Sequence, residues 1–306
     1  MHAHDHSHSH DHHHHHTVTT INRALIIGAV LNALYVLVEF GMGFYYDSLA
    51  LVADAGHNLS DVASLLLSLL AFRLAKVRTT PTFTYGYRKS TVLASLTNAV
   101  LLLITIGGIV WESAERFQDP QPVAGSPVAW TAGVGILVNA VSALLFFRDK
   151  DHDLNAKGAY LHLAADALVS LGVVVSGLLI QYTGWYWLDA ITGLVVAAVI
   201  FASTWRLLTD SVRLSLDGVP VAIDLSAVKA EIEKVRGVQQ VHHLHVWAMS
   251  TTENALTAHI VVQDHLPIAE VEALKHHIRH QLEHLTIQHS TLELEWPSAA
   301  CSSIIC

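Results

Sequence analysis

Six apolar stretches succeed one another through the first two thirds of the chain, at about 22–45, 49–72, 90–114, 124–147, 158–181 and 187–209. As helices, each is long enough to cross a hydrocarbon layer of roughly 30 Å, which takes about 20 residues at 1.5 Å apiece. The pattern predicts six transmembrane helices. After Arg213 charges return and Pro220, Gly237 and Pro267 punctuate shorter elements. Leu225, Val228, Ile232 and Val235 recur at helical spacing within 223–235. Strands are predicted over 238–249 and 255–262, an amphipathic helix over 267–285, and a closing strand over 290–296. The order α-β-β-α-β predicts a small two-layer α+β domain of ferredoxin-like fold. The chain therefore divides into a histidine-rich polar segment (1–19), a membrane bundle (20–212) and a soluble domain (213–306).

Composition agrees: 52% of the 306 residues are hydrophobic and 14% charged, with a mean hydropathy of +0.42. The first apolar stretch follows a polar segment and lacks a small-residue cleavage pattern, so it is expected to persist as a helix. Lys and Arg fix the orientation. Arg73, Lys76, Arg78, Arg88 and Lys89 crowd the second connection, and Arg148, Lys150 and Lys157 the fourth. The first and fifth carry none and the third only Arg116. Connections two and four, and with six spans both termini, are thus predicted to be cytoplasmic. A net charge of −9 argues against nucleic acid as a partner, since no basic stripe is left for phosphates. Cys301 and Cys306, the two cysteines of the sequence, would stay reduced on the cytoplasmic side, where a metal site is the better expectation than a disulfide.

Two apolar stretches carry a histidine and an aspartate at the same spacing. "DAGHNLSD" places His57 and Asp61 four residues apart, and "HLAAD" repeats the spacing with His162 and Asp166. Positions i and i+4 share a helix face about 6 Å apart along the axis. An ionisable group at the bilayer centre costs about 2.5–3.5 kcal/mol on insertion scales, so such groups face the bundle and find partners. Two neutral imidazoles and two carboxylates make an N2O2 set suited to Zn²⁺, with a net charge near zero once the ion is bound. Asp54 and Asn58, close by on the same helix, are expected to support these ligands from behind or to serve helix packing. The bland alternative, a polar network that binds nothing, is outweighed by the duplication of the pair and by ten histidines in the first sixteen residues. No H-E-x-x-H motif occurs and His57 is followed by Asn58, so metal-assisted hydrolysis is not supported. The chain is expected not to be an enzyme.

"SLALVADAGHNLSDVASLLLSLLA", "YGYRKSTVLASLTNA", "ESAERF", "LNAKGAYLHLAADALVSLGVVVSG" and "GVQQVHHLHVWAMS" together resemble the cation diffusion facilitators, in particular the bacterial zinc, cobalt and cadmium resistance branch and the vesicular zinc transporters. The resemblance implies a homodimeric antiporter in the bacterial inner membrane that exports Zn²⁺ in exchange for protons by alternating access. Its transport site would be His57, Asp61, His162 and Asp166. Some relatives have Asp where His57 stands and accept Cd²⁺, so His57 implies zinc, with Cd²⁺ and Co²⁺ secondary. Protons and metal compete for imidazole nitrogens, which makes His57 and His162 the expected proton carriers. Lys89 and Asp217 fall where the family joins its membrane and soluble parts by a salt bridge. His242, His259 and Glu295, followed by Cys301 and Cys306, fall at or near positions of a cytosolic metal site that also regulates. Most of His243, His245, His276, His277, His280 and His284 are expected to be solvated. The histidine-rich segment is expected to be a flexible chelator that raises the local metal concentration. The competing expectation from another class is a zinc-gated sensor or passive divalent-metal pore, in which the embedded pairs only hold the bundle together.

Overall fold

The computed structural model describes residues 23–146, 154–264 and 266–297. The histidine-rich segment, Cys301 and Cys306 lie outside the described residues. Six long helices come first: α1 (Arg23–Tyr45), α2 (Leu49–Ala75), α3 (Ser90–Gln118), α4 (Gly125–Phe146), α5 (Leu154–Thr183) and α6 (Trp187–Ser215). They coincide with the six apolar stretches. Among the described residues, Ser90–Gln118, Gly125–Leu144, Tyr160–Thr183 and Trp187–Ser215 are long and apolar enough to cross a membrane. Leu37, Val38, Ile104, Leu137, Leu168 and Val195 are exposed on the outside of this bundle. Such faces are stable against lipid rather than water. Trp111, Trp130, Tyr182 and Trp185 are likewise exposed, near the end that holds the α1–α2, α3–α4 and α5–α6 connections, as expected of an interfacial aromatic belt.

Polar contacts and small residues set the helix packing. Ser48 caps α2, its hydroxyl accepting from Leu51 N and donating to Asp189 Oδ1 at 2.6 Å, while Leu49 N donates to Asp189 Oδ2 at 2.6 Å. One buried carboxylate of α6 thus satisfies orphan donors at the start of α2. Arg116 of α3 reaches Asp47 in the α1–α2 turn at 2.6 Å, tying three connections to this end. Helices α4 and α5 approach so closely that a Cβ on Gly125 would collide with the carbonyl of Gly177, a small-residue contact typical of membrane helices.

At the other end stands the small domain: α7 (Leu225–Glu233), β1 (Val238–Ala248), β2 (Asn254–Val262), α8 (Ile268–His284) and β3 (Ile287–Glu295). The sheet order is β1-β2-β3, with β1 antiparallel and β3 parallel to β2. Val228 and Ile232 of α7 and Leu274, Ile278 and Leu282 of α8 are buried against Val241, Leu256 and Ile260 of the sheet, each contributing about 1.5–3 kcal/mol by burial. Helix α7 starts two residues later than its apolar pattern suggests because Asp224 caps it, accepting from Ser226 N at 2.8 Å. Strand β3 begins three residues before the expected 290. Thr286 takes a positive φ of 62° that ends the helix abruptly, and the polar His289 and Ser290 then pair with Ala255 and Leu256.

The two parts are pinned together. Lys89, just before α3, reaches Asp217 Oδ1 and donates to Ala248 O at 3.0 Å, so the two residues expected to form the interdomain bridge do meet. Arg88 pairs with Glu253 at 2.6 Å and Thr251 N donates to Thr91 Oγ1 at 3.0 Å. These links attach the membrane bundle to the β1–β2 turn.

Candidate functional site

Helices α2 and α5 bring His57, Asp61, His162 and Asp166 together. His57 Nε2 lies 3.3 Å from Asp166 Oδ1 and 3.9 Å from Asp61 Oδ2. His162 Nε2 lies 3.1 Å from Asp61 Oδ2 and 3.5 Å from Asp166 Oδ2. Each imidazole therefore faces one carboxylate on its own helix and one on the other. A tetrahedron of ligands with bonds of 2.0–2.1 Å has edges of about 3.3 Å, and these four nitrogen–oxygen separations bracket that length. The four residues line a cavity of about 350 Å³ walled also by Asn98 and Leu102 of α3 and Ile200, Ser203 and Thr204 of α6. Side-chain exposure is 4% for Asp166 and 16% for His57, but 30% for Asp61 and 48% for His162. Access therefore increases toward the end of the bundle that carries the sheet domain.

Of the two roles expected of Asp54 and Asn58, their hydrogen bonds serve helix packing. Asp54 accepts from Ser170 Oγ at 2.8 Å and Asn58 Nδ2 donates to Glu39 Oε2 at 3.2 Å, while His57 Nδ1 has no partner among the described residues. Asp54 and Asn58 are themselves an i, i+4 pair, rotated about 60° around α2 from His57 and Asp61, and that rotation turns them toward α1 and α5. Glu39, fully buried in α1, is the group that sequence reasoning missed; its one signal was an acidic residue inside an apolar run.

In the sheet domain, His242 and His259 are register partners on β1 and β2. His242 Nε2 lies 3.3 Å from Glu295 Oε2, and His259 contacts Glu295 and Glu293 through its two ring nitrogens. His243, one of the six histidines of which most are expected to be solvated, joins them: ligand atoms of His242, His243 and His259 lie within 4.8 Å of one another, as do those of His259, Glu293 and Glu295. The cause is a register irregularity between His242 and His245, with His243 at φ 48°. The bulge turns adjacent residues toward one side, where a regular strand would send them to opposite faces.

An apolar helical bundle with an internal N2O2 cluster, joined to a small domain with a histidine cluster of its own, has the build of a membrane transport protein. The chain belongs to the cation efflux family: residues 25–214 match its transmembrane domain and residues 220–295 match the cation efflux protein cytoplasmic domain. It is 36% identical over 275 residues to a cadmium, cobalt and zinc/H(+)-K(+) antiporter of Bacillus subtilis, covering 89% of this chain and 88% of the relative. It is 38% identical over 277 residues to the zinc transporter ZitB of Escherichia coli, covering 90% and 87%. The metal cation efflux system protein CzcD of Cupriavidus metallidurans is 32% identical over 273 residues, covering 89% and 86%. These relatives are transporters, and the chain is a transporter rather than an enzyme.

Proposed function

We propose that the protein is a proton-coupled zinc antiporter that exports Zn²⁺ from the bacterial cytoplasm, with His57, Asp61, His162 and Asp166 as the transport site. The observation that carries this is the N2O2 cluster, whose nitrogen–oxygen separations of 3.1–3.9 Å suit a tetrahedral ion. Two carboxylates balance the charge of Zn²⁺, so the loaded site is nearly neutral in a medium that penalises charge. Cd²⁺ and Co²⁺ are secondary cargo, consistent with the metals for which the relatives are named. Helices α1 to α6 all cross the membrane, and the α7–β3 domain is a ferredoxin-like cytoplasmic unit through which two copies dimerise. The cavity then opens to the cytoplasm, and alternating access consists of closing that side while opening the other. Proton coupling follows from competition: an imidazole that holds metal cannot hold a proton on the same nitrogen. A pH gradient across proteoliposomes separates antiport from a passive pore, since only the former moves zinc uphill.

The cytosolic cluster is a second metal site with His242, His259 and Glu295 as ligands, joined by His243 and by Cys301 and Cys306. His259 belongs to both groups of close ligand atoms, so the His259→Ala protein is expected to lose about a hundredfold in cytosolic zinc affinity. Calorimetric titration in an Asp61→Ala background, where the transport site is silent, measures it. Unchanged affinity would remove His259 from the site.

A further inference from the structure

A second polar centre lies in the bundle beyond the N2O2 cluster, on the side away from the sheet domain. Glu39 of α1 and Asp54 of α2 are both fully buried. Glu39 Oε1 accepts from Tyr35 Oη at 2.6 Å and Oε2 accepts from Asn58 Nδ2 at 3.2 Å. Asp54 Oδ2 accepts from Ser170 Oγ of α5 at 2.8 Å. Tyr35 Oη also stands 3.2 Å from the Thr131 carbonyl of α4, an approach open because a Cβ at Gly135 would collide with the Tyr35 ring. Asp54 Oδ1 accepts no hydrogen bond from a described donor, and Asn58, one turn on from Asp54 along the same face of α2, holds Glu39 against that face, so both carboxyl groups belong to one buried network.

Among the described residues, neither carboxyl group is paired with a Lys or Arg. The sequence has no Lys or Arg between Arg23 and Arg73, none in α4, and none in α5 beyond Lys157. Besides the pair, the surrounding elements carry Arg23, Tyr35 and Tyr45 on α1, His57, Asp61 and Arg73 on α2, and Lys157, Tyr160, His162, Asp166 and Tyr182 on α5; α4 has no titratable residue. Two carboxylates this close in a dry interior cannot both ionise without a counter-charge. A proton between them supplies the donor that Asp54 Oδ1 lacks.

We propose that Glu39 and Asp54 hold one proton between them and release it when metal occupies the neighbouring cluster, making the pair a proton-binding site separate from the metal ligands. This rests on the metal-site reading above. Asp54 precedes His57 by three residues, about 4.5 Å of helix rise, and Ser170 follows Asp166 by four. The charge of a divalent cation at that range favours the ionised pair. In the step one O–H bond breaks, H⁺ passes to the aqueous phase and two carboxylates remain. When the metal leaves, repulsion between them draws a proton back. The pair thus adds one proton to those displaced from the imidazoles.

Infrared difference spectroscopy of the full-length protein with and without zinc, at fixed pH, tests this. The metal-free protein is expected to show the C=O stretch of a protonated carboxyl, which zinc removes and which is missing from Glu39→Gln with or without zinc. In weakly buffered solution Glu39→Gln should release one proton fewer per zinc bound at the transport site than the unaltered protein, while binding zinc with the same stoichiometry. If Glu39→Gln fails to fold, Asp54→Asn removes the other half of the pair and the same band. A band that is absent, indifferent to zinc or retained in the variant, or equal proton release, would overturn the proposal and leave a static hydrogen-bond network. Failure of the metal-site reading looks different: Asp61→Ala would bind zinc as before, with the metal-free carboxyl band untouched.

Discussion

The Asp61→Ala protein is expected to lose zinc transport by about a hundredfold or more while keeping its fold and assembly. Asp61 Oδ2 is the one atom of the cluster that faces both imidazoles, at 3.1 Å from His162 and 3.9 Å from His57. Its removal leaves three ligands and a loaded site with an uncompensated positive charge in a low dielectric. If four ligands share the roughly 10–16 kcal/mol of structural zinc sites, losing one costs about 3 kcal/mol, close to a hundredfold in affinity. The side chain is 30% exposed, so truncation opens no dry cavity and stability should change little. Flux into proteoliposomes loaded with a zinc-sensitive dye, alongside the elution volume of the purified protein, reads both quantities. Undiminished flux would detach transport from the embedded cluster.

The second large effect is on pH dependence. Each imidazole that takes up a proton leaves the ligand set, so zinc affinity must fall as pH falls. The two imidazoles alone contribute a fall of up to a hundredfold per pH unit where both are protonated in the metal-free protein. His57→Asp removes one competitor, so its slope should be shallower by up to tenfold per pH unit, and the added carboxylate should raise acceptance of Cd²⁺ relative to Zn²⁺. Calorimetric titration across pH 6 to 8 with each metal measures slope and preference together. Identical slopes in the two proteins would mean that His57 carries no exchanged proton.

The long helices of the bundle were legible because a run of apolar residues records its own length, and six such runs became α1 to α6. The four residues of the cluster were legible because i, i+4 spacing fixes a shared helix face before any partner is known. What lies between helices was not. Asp54 and Asn58 have that same spacing, yet a rotation of about 60° hands them to Glu39 and Ser170. Glu39 gains meaning only once α1 is laid against α2. Asp189 is one acidic residue at the start of an apolar run, and its work as a cap for α2 depends on a contact 140 residues away in sequence. In the sheet domain, a regular strand would alternate His242 and His243 to opposite faces, and only the bulge brings both toward His259.

The most direct measurement is zinc movement in proteoliposomes with equal zinc on both sides and a pH gradient imposed across the membrane. Coupled antiport is expected to accumulate zinc on the acidic side, against its developing gradient, with collapse on adding a protonophore and no accumulation in Asp61→Ala. Zinc that moves only down its own gradient, whatever the pH difference, would contradict proton-coupled export and leave a passive pore.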